Sequence, residues 1–284
     1  MGELDAFSEM LSLEDDRIDL ARACLRIAED AYPGLDVEGY VGEIDRLARR
    51  LRARIAPQAA PEERIVALNE FLYDDLGFSG NTENYYDPRN SYLNEVLDRR
   101  TGIPITLSIL YMEVGQRIGL ELEGVSFPGH FLVRLRVRGG TLVLDPFSAG
   151  TPQSEDELRE RLKRVIPRAA GAGGLPVADL PLDQFLEPAT RRQILARVLR
   201  NLKGVYREAD KPERLLEVLN RMIIVAPDSA AELRDRGLVY RRLECWRPAL
   251  KDLTDYLERE PDAADVDEVR AKMVELSARC ARLN

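Results

Sequence analysis

The chain has 284 residues, 45% of them hydrophobic, and a formal net charge of −9. That length suits one large or two ordinary domains, and the acidic balance argues against a general nucleic-acid binder, which needs a basic surface. Three scattered cysteines (Cys24, Cys245 and Cys280) and one histidine, His130, indicate no disulfide framework or metal site. The stretch from Met1 to Asp5 lacks the basic start and apolar run of a signal peptide. No run approaches the roughly 18–20 apolar residues of a membrane span. The expectation is a cytoplasmic protein, and no cofactor motif is present.

Leu13 to Ala31 has amphipathic spacing, with Glu14, Asp15 and Asp16 placed for a first turn, where the helix dipole favours acids. Cys24 is expected to pack there as a small apolar residue. Pro33-Gly34 breaks the pattern. Asp36 is the expected N-cap of a second helix carrying Val37, Tyr40, Val41, Ile44, Leu47, Ala48 and Leu51. After a linker at 57–61, a third helix turns Ile65, Leu68, Phe71 and Leu72 inward. Gly77 to Asn90 is rich in turn formers and also holds Tyr85 and Tyr86. Two roles are open for it: lining a pocket, or tying down a long connection. A short helix follows from Tyr92 to Leu97. Gly102 closes it, and Pro104 suits the first turn of the next helix, where its missing N–H costs nothing. That helix is apolar nearly all round, so it should be buried, and Gly119 ends it.

The period then changes to two. Strands are expected at 122–127, 130–137 and 141–144. On the second, Phe131, Val133, Leu135 and Val137 share one face, and His130, Leu132, Arg134 and Arg136 the other. Arg134, Arg136 and Arg138 read as an exposed face rather than an anion site. If Gly139-Gly140 closes a tight hairpin, Arg134 faces Asp145 and His130 lies roughly 13 Å from that carboxylate. If a longer loop spans Leu135 to Gly140, His130 faces Asp145. Both registers remain open.

A short charged helix is expected after Thr151, then a flexible run from Ala169 to Gly174 and a proline-rich connection at 175–187. Beyond it Tyr206 recurs as Tyr240 and Pro227 as Pro261, with Leu215, Leu219 and Met222 matching Ala249, Leu253 and Tyr256 at the same offset. This is the period of a tetratricopeptide repeat. Gly237 fits the small-residue position of the repeat, which Lys203 occupies in the first copy. Cys245, Trp246 and Cys280 are expected in repeat packing, and Asp265 to Leu283 as a capping helix.

The segments Asn90-Ser91-Tyr92-Leu93-Asn94, Arg99-Arg100-Thr101-Gly102-Ile103-Pro104-Ile105, Gly124 to Arg134 and Leu144-Asp145-Pro146-Phe147 resemble the bacterial transglutaminase-like proteins with C-terminal tetratricopeptide repeats. These are often labelled regulators of SirC expression. The resemblance implies an α+β chain: a papain/transglutaminase-like core over 1–174, with a helical layer and a small antiparallel sheet, then an all-α repeat region over 188–284. It also implies a cysteine at a helix N-terminus working with a histidine and an aspartate. His130 and Asp145 match the last two. Counting back from Gly119 puts Pro104 at the cysteine position, and proline has no nucleophile. Thr106 and Ser108 are the nearest hydroxyls. Tyr85, Tyr86, Asn94 and Arg100 are candidate cleft residues. Two functions follow. One is a non-catalytic, regulatory protein-binding module with a degenerate cleft, engaging a protein or peptide through its repeats. The other is an amide-bond hydrolase or acyltransferase with a non-cysteine nucleophile.

Overall fold

The computed structural model describes residues 3–165 and 181–282. The run from Ala169 to Gly174 and the first half of the 175–187 connection lie outside the described residues. Two compact units are present, Glu14–Val198 and Met1–Leu13 together with Leu199–Asn284. The division between these compact units falls within a helix. Glycines and prolines mark where regular structure stops, whereas compact units follow packing.

In the larger unit, α2 (Leu20–Ala28) starts later than its spacing suggests, because Asp19 caps it by accepting from the Arg22 N–H at 2.9 Å. The acids before it form a separate 3₁₀ turn, Asp15–Arg17. Asp36 caps α3 (Val37–Arg52) as expected from sequence. Then come α4 (Pro61–Asn69), a π-helical turn Glu70–Asp75, and α5 (Leu93–Arg99). Helix α6 (Pro104–Arg117) is the buried centre, with every side chain from Pro104 to Gly115 enclosed. A two-residue parallel ladder, β1 (Ser79–Gly80) on β2 (Thr101–Gly102), leads into it.

The sheet is an antiparallel meander of β3 (Leu122–Val125), β4 (Leu132–Val137), β5 (Gly140–Asp145) and β6 (Thr151–Pro152). Val137 pairs with Gly140 and Val133 with Leu144, so Arg138-Gly139 is the two-residue turn. This register lies between the two that the sequence left open. Gly139 takes φ +102°, which a tight turn of this kind requires and glycine tolerates. Arg134 does not face water: it pairs with Glu123 at 2.7 Å and donates to the Leu186 carbonyl at 2.8 Å. Helix α7 (Glu155–Val165) inserts Leu158 and Leu162 beneath the sheet, among Val125, Phe127, Leu132 and Val143.

Helix α8 (Arg191–Glu208) begins the repeat helices. Asp15 caps it across 176 residues, accepting from the backbone N–H groups of Arg191 at 2.7 Å and Arg192 at 2.9 Å. The helical unit continues with α9 (Pro212–Val225), α10 (Ala230–Arg242), α11 (Trp246–Arg259) and α12 (Val266–Ala281). Its core joins Leu233, Ala249, Leu253, Tyr256, Val269 and Leu276. A Cβ at Gly237 would stand 2.9 Å from Leu253, which explains the small residue there. The N-terminal helix α1 (Glu3–Leu11) packs on α9, with Phe7 under the Arg221 guanidinium at 4.8 Å. Cys24 is buried as expected from sequence, but Cys245 is exposed and Cys280 half-buried. At position 245 the side chain caps nothing and leaves packing to Trp246, which lies against the core.

Asp15→Ala removes two capping bonds at once. It should lower the unfolding free energy by about 1–2 kcal/mol, with Asp15→Asn losing less. Urea denaturation of the three proteins checks this.

Candidate functional site

His130 sits in a bend just before β4, where Gly129 has φ +68° and the His130 N–H donates to the Phe127 carbonyl at 3.0 Å. Leaving the bend, the imidazole spans the register offset to Asp145 at the end of β5. Its Nε2 lies 2.9 Å from Asp145 Oδ1. If Nε2 carries the proton, as that bond implies, Nδ1 is the bare acceptor, and it makes no hydrogen bond among the described residues.

Asp145 is fully buried and accepts from three further donors. The Phe147 N–H reaches Oδ1 at 3.1 Å, the Ser148 hydroxyl Oδ2 at 3.0 Å, and Arg161 Nη2 of α7 Oδ2 at 2.7 Å. Burial pushes this carboxyl up. The His130 hydrogen bond, the Arg161 charge and Ser148 outweigh it, so Asp145 is held below its ordinary value.

The turn after Asp145 is anchored from the π-helical segment. Tyr73 donates to the Pro146 carbonyl at 2.8 Å. Asn69 donates to the Gly150 carbonyl at 3.1 Å and accepts from the Tyr111 hydroxyl at 2.8 Å. Burial raises both phenols, so both remain donors. A side chain at Gly80 would strike the Phe147 ring at 2.5 Å, so glycine there lets β1 lie against it. From His130 the rings run edge to face: Phe147 at 6.1 Å, then Tyr85 at 6.4 Å from Phe147, then Tyr86 at 5.4 Å from Tyr85.

The structure thus brings His130, Asp145, Tyr85 and Tyr86 into one series of contacts. It places the other candidates differently. Pro104 is the first residue of α6, whose turns pack on the Pro146–Ser148 segment. The Thr106 hydroxyl is committed: it donates to the Asn90 carbonyl at 2.7 Å and accepts from the Ile103 N–H at 3.1 Å. Ser108 is fully buried, and its Oγ has no partner among the described residues. Asn94 is buried in α5 with Oδ1 unpartnered among the described residues. Arg100 adopts φ +58° at the end of α5 and donates to the Leu76 carbonyl at 2.8 Å. It lines a different cleft of about 470 Å³, with Asp36, Tyr40 and Asp98 and without His130 or Asp145.

A family model described as the transglutaminase-like superfamily matches residues 38–200, and a tetratricopeptide-repeat model matches 202–273. The chain belongs to the transglutaminase-like superfamily. Similar proteins include a UPF0162 protein of Xylella fastidiosa strain Temecula1, 42% identical over 96% of this chain and 95% of its own length. Protein SirB1 of Salmonella typhimurium is 28% identical over 81% of this chain and 82% of its own. UPF0162 protein YchA of Escherichia coli is 29% identical over 88% of each chain.

This transglutaminase-like site contains residues that the sequence did not single out. Arg161 had one usable signal: it follows Leu158 by three residues and precedes Leu162, so it borders the buried face of its helix. Tyr73 and Asn69 had none, because the wide π turn that aims Tyr73 breaks the helical period.

Asp145→Asn strands the Arg161 charge and should cost about 3 kcal/mol at pH 7. The contribution of a depressed carboxyl is present above its unfolded pKa of about 3.9 and is lost as pH falls through the lower folded value. The gap between wild type and Asp145→Asn should therefore narrow below about pH 4. Denaturant titrations at a series of pH values measure it.

Proposed function

We propose that the protein is a non-catalytic regulatory module that binds other proteins. Its transglutaminase-like cleft serves as a recognition surface, and its repeats engage a protein partner. The observation that carries this is the start of α6. A thiolate is favoured at a helix N-terminus because the dipole lowers its pKa, and here that turn offers Pro104 and a Thr106 hydroxyl already bonded at 2.7 Å. Ser108 lies a turn deeper, sealed from solvent. Arg161, Ser148 and the Phe147 N–H also share the carboxylate that would support an imidazolium. Tetratricopeptide helices commonly present a protein-binding face.

The alternative, acyl transfer by a hydroxyl, draws on one observation: the His130 Nδ1 edge is free to act as a base. One assay separates the two. The protein is incubated with 4-nitrophenyl acetate and, separately, with a glutamine peptide plus a primary amine, alongside His130→Ala. Release of nitrophenol and ammonia should stay at buffer background in both proteins. Turnover by the wild type that falls at least about a hundredfold in His130→Ala, the scale of a lost general base, would establish the enzyme instead.

A further inference from the structure

The last turns of α3 carry two arginines that no acid compensates. Asp45, Ala48, Arg49 and Arg52 follow one another at helical spacing and, with Arg117 at the end of α6, line a cavity of about 190 Å³. A second cavity, of about 330 Å³, shares Arg52 with it and is bounded by Arg64 of α4 and the apolar Ile55, Pro57 and Ile118. Neither His130 nor Asp145 lines them. Arg117 is already engaged, with Asp45 at 2.6 Å and Glu113 at 2.5 Å, and this also occupies Asp45. Arg49 and Arg52 are exposed and meet no carboxylate among the described residues. By contrast Arg22, Arg46 and Arg54 each pair with an acid.

Arg64 is the third cation, and it is built into place. Its Nε donates to the Ala59 carbonyl at 3.0 Å, its Nη1 to the Ile118 carbonyl at 2.6 Å and its Nη2 to the Pro57 carbonyl at 3.3 Å. A Cβ at Gly119 would stand 2.8 Å from Nη1, so glycine there admits the guanidinium. Carbonyls orient this charge without neutralising it, and no carboxylate pairs with it among the described residues. Each Nη keeps a second N–H to donate. Helix dipoles favour cations at the ends of α3 and α6, but each end supplies only about half a negative charge. Arg49, Arg52 and Arg64 therefore leave a residual charge of about +2 around the cavities. That field is opposite in sign to the net −9 of the chain, and it favours an anion.

We propose that these joined cavities bind a phosphate monoester carrying a small apolar group. The phosphoryl oxygens accept from Arg52 and from the remaining Arg64 N–H groups, while Arg49 adds charge from the neighbouring cavity. The apolar group lies on Ile55, Pro57 and Ile118. A phosphate monoester carries about −1.5 to −2 at neutral pH, which matches the residual charge, whereas a carboxylate carries roughly half as much. The planar guanidinium fork also fits phosphate oxygens two at a time. The site stands apart from the transglutaminase-like cleft and does not depend on how that cleft is read.

The test is isothermal titration calorimetry of the full chain at low salt with phenyl phosphate, inorganic phosphate, benzoate and an oligothymidylate. Phenyl phosphate should bind, more weakly as salt rises. It should bind about tenfold more tightly than inorganic phosphate, which lacks the apolar group, or benzoate, which lacks the second charge. Arg52→Gln should weaken phenyl phosphate about tenfold, the scale of one lost charge-assisted hydrogen bond, and Arg49→Gln should weaken it less. Both arginines are exposed, so their replacement leaves folding intact. Arg136→Gln, on β4 and outside both cavities, should leave binding unchanged. No binding at millimolar phenyl phosphate, equal binding of inorganic phosphate or benzoate, or an equal loss in Arg136→Gln would each overturn the site. Tighter binding of the oligothymidylate would overturn it too, in favour of a phosphodiester chain.

Discussion

The site is organised by the need to satisfy one buried charge. Asp145 has no exposed surface, and an ionised carboxylate out of water is tolerated only when its lone pairs are occupied by donors. Its donors come from three places in the chain: the bend before β4, the turn just after Asp145 itself, and α7. The carboxylate therefore fixes the imidazole, shapes the Pro146–Ser148 turn and docks α7 under the sheet. The Leu158 and Leu162 packing that accompanies Arg161 reinforces the same join.

This gives the His130–Asp145 pair a reason to exist without catalysis. Removal of the carboxylate would leave the Arg161 guanidinium without its partner and uncap the turn that carries Phe147. Removal of a nucleophile at the start of α6 costs nothing comparable, since Pro104 is well suited to that position and Thr106 gains a capping role there. On the proposed non-catalytic reading, His130 and Asp145 are kept for what they hold together. Their geometry is evidence of architecture first, and only the first turn of α6 speaks to chemistry.

The parts of the fold legible in the sequence are those set by local signals. Asp36 as a cap, Pro104 at a helix start, the all-round apolar α6 and the repeat period all depend on residues a few positions apart. The family resemblance supplied the pairing of His130 with Asp145, which strand arithmetic alone left undecided. The turn Arg138-Gly139 sets a register between the two considered, and the offset is bridged because His130 lies in a bend outside the strand. What stayed hidden depends on distant partners. Asp15 looked like a first-turn acid of α2 and instead caps α8. Arg134 looked solvated but meets Glu123 and the Leu186 carbonyl. Neither contact leaves a mark in the local pattern.

Lys203 shows the same principle within the repeats. Judged by the repeat pattern alone it is a defect, since a small residue belongs there, as Gly237 does against Leu253. In the structure its ammonium reaches Glu232 at 2.6 Å and Asp235 at 2.7 Å, both on α10. Arg207 of α8 also meets Asp235, and Arg241 of α10 meets Glu275 of α12 at 2.7 Å. Charge pairs therefore link successive first helices of the repeats in addition to apolar packing. Such pairs contribute modestly when exposed, but Lys203 and its acids are mostly enclosed, where the pairing is worth more and its rupture costs more. The departure at position 203 is thus matched by acids on the neighbouring helix, so the first repeat is adapted to its own neighbour rather than degraded.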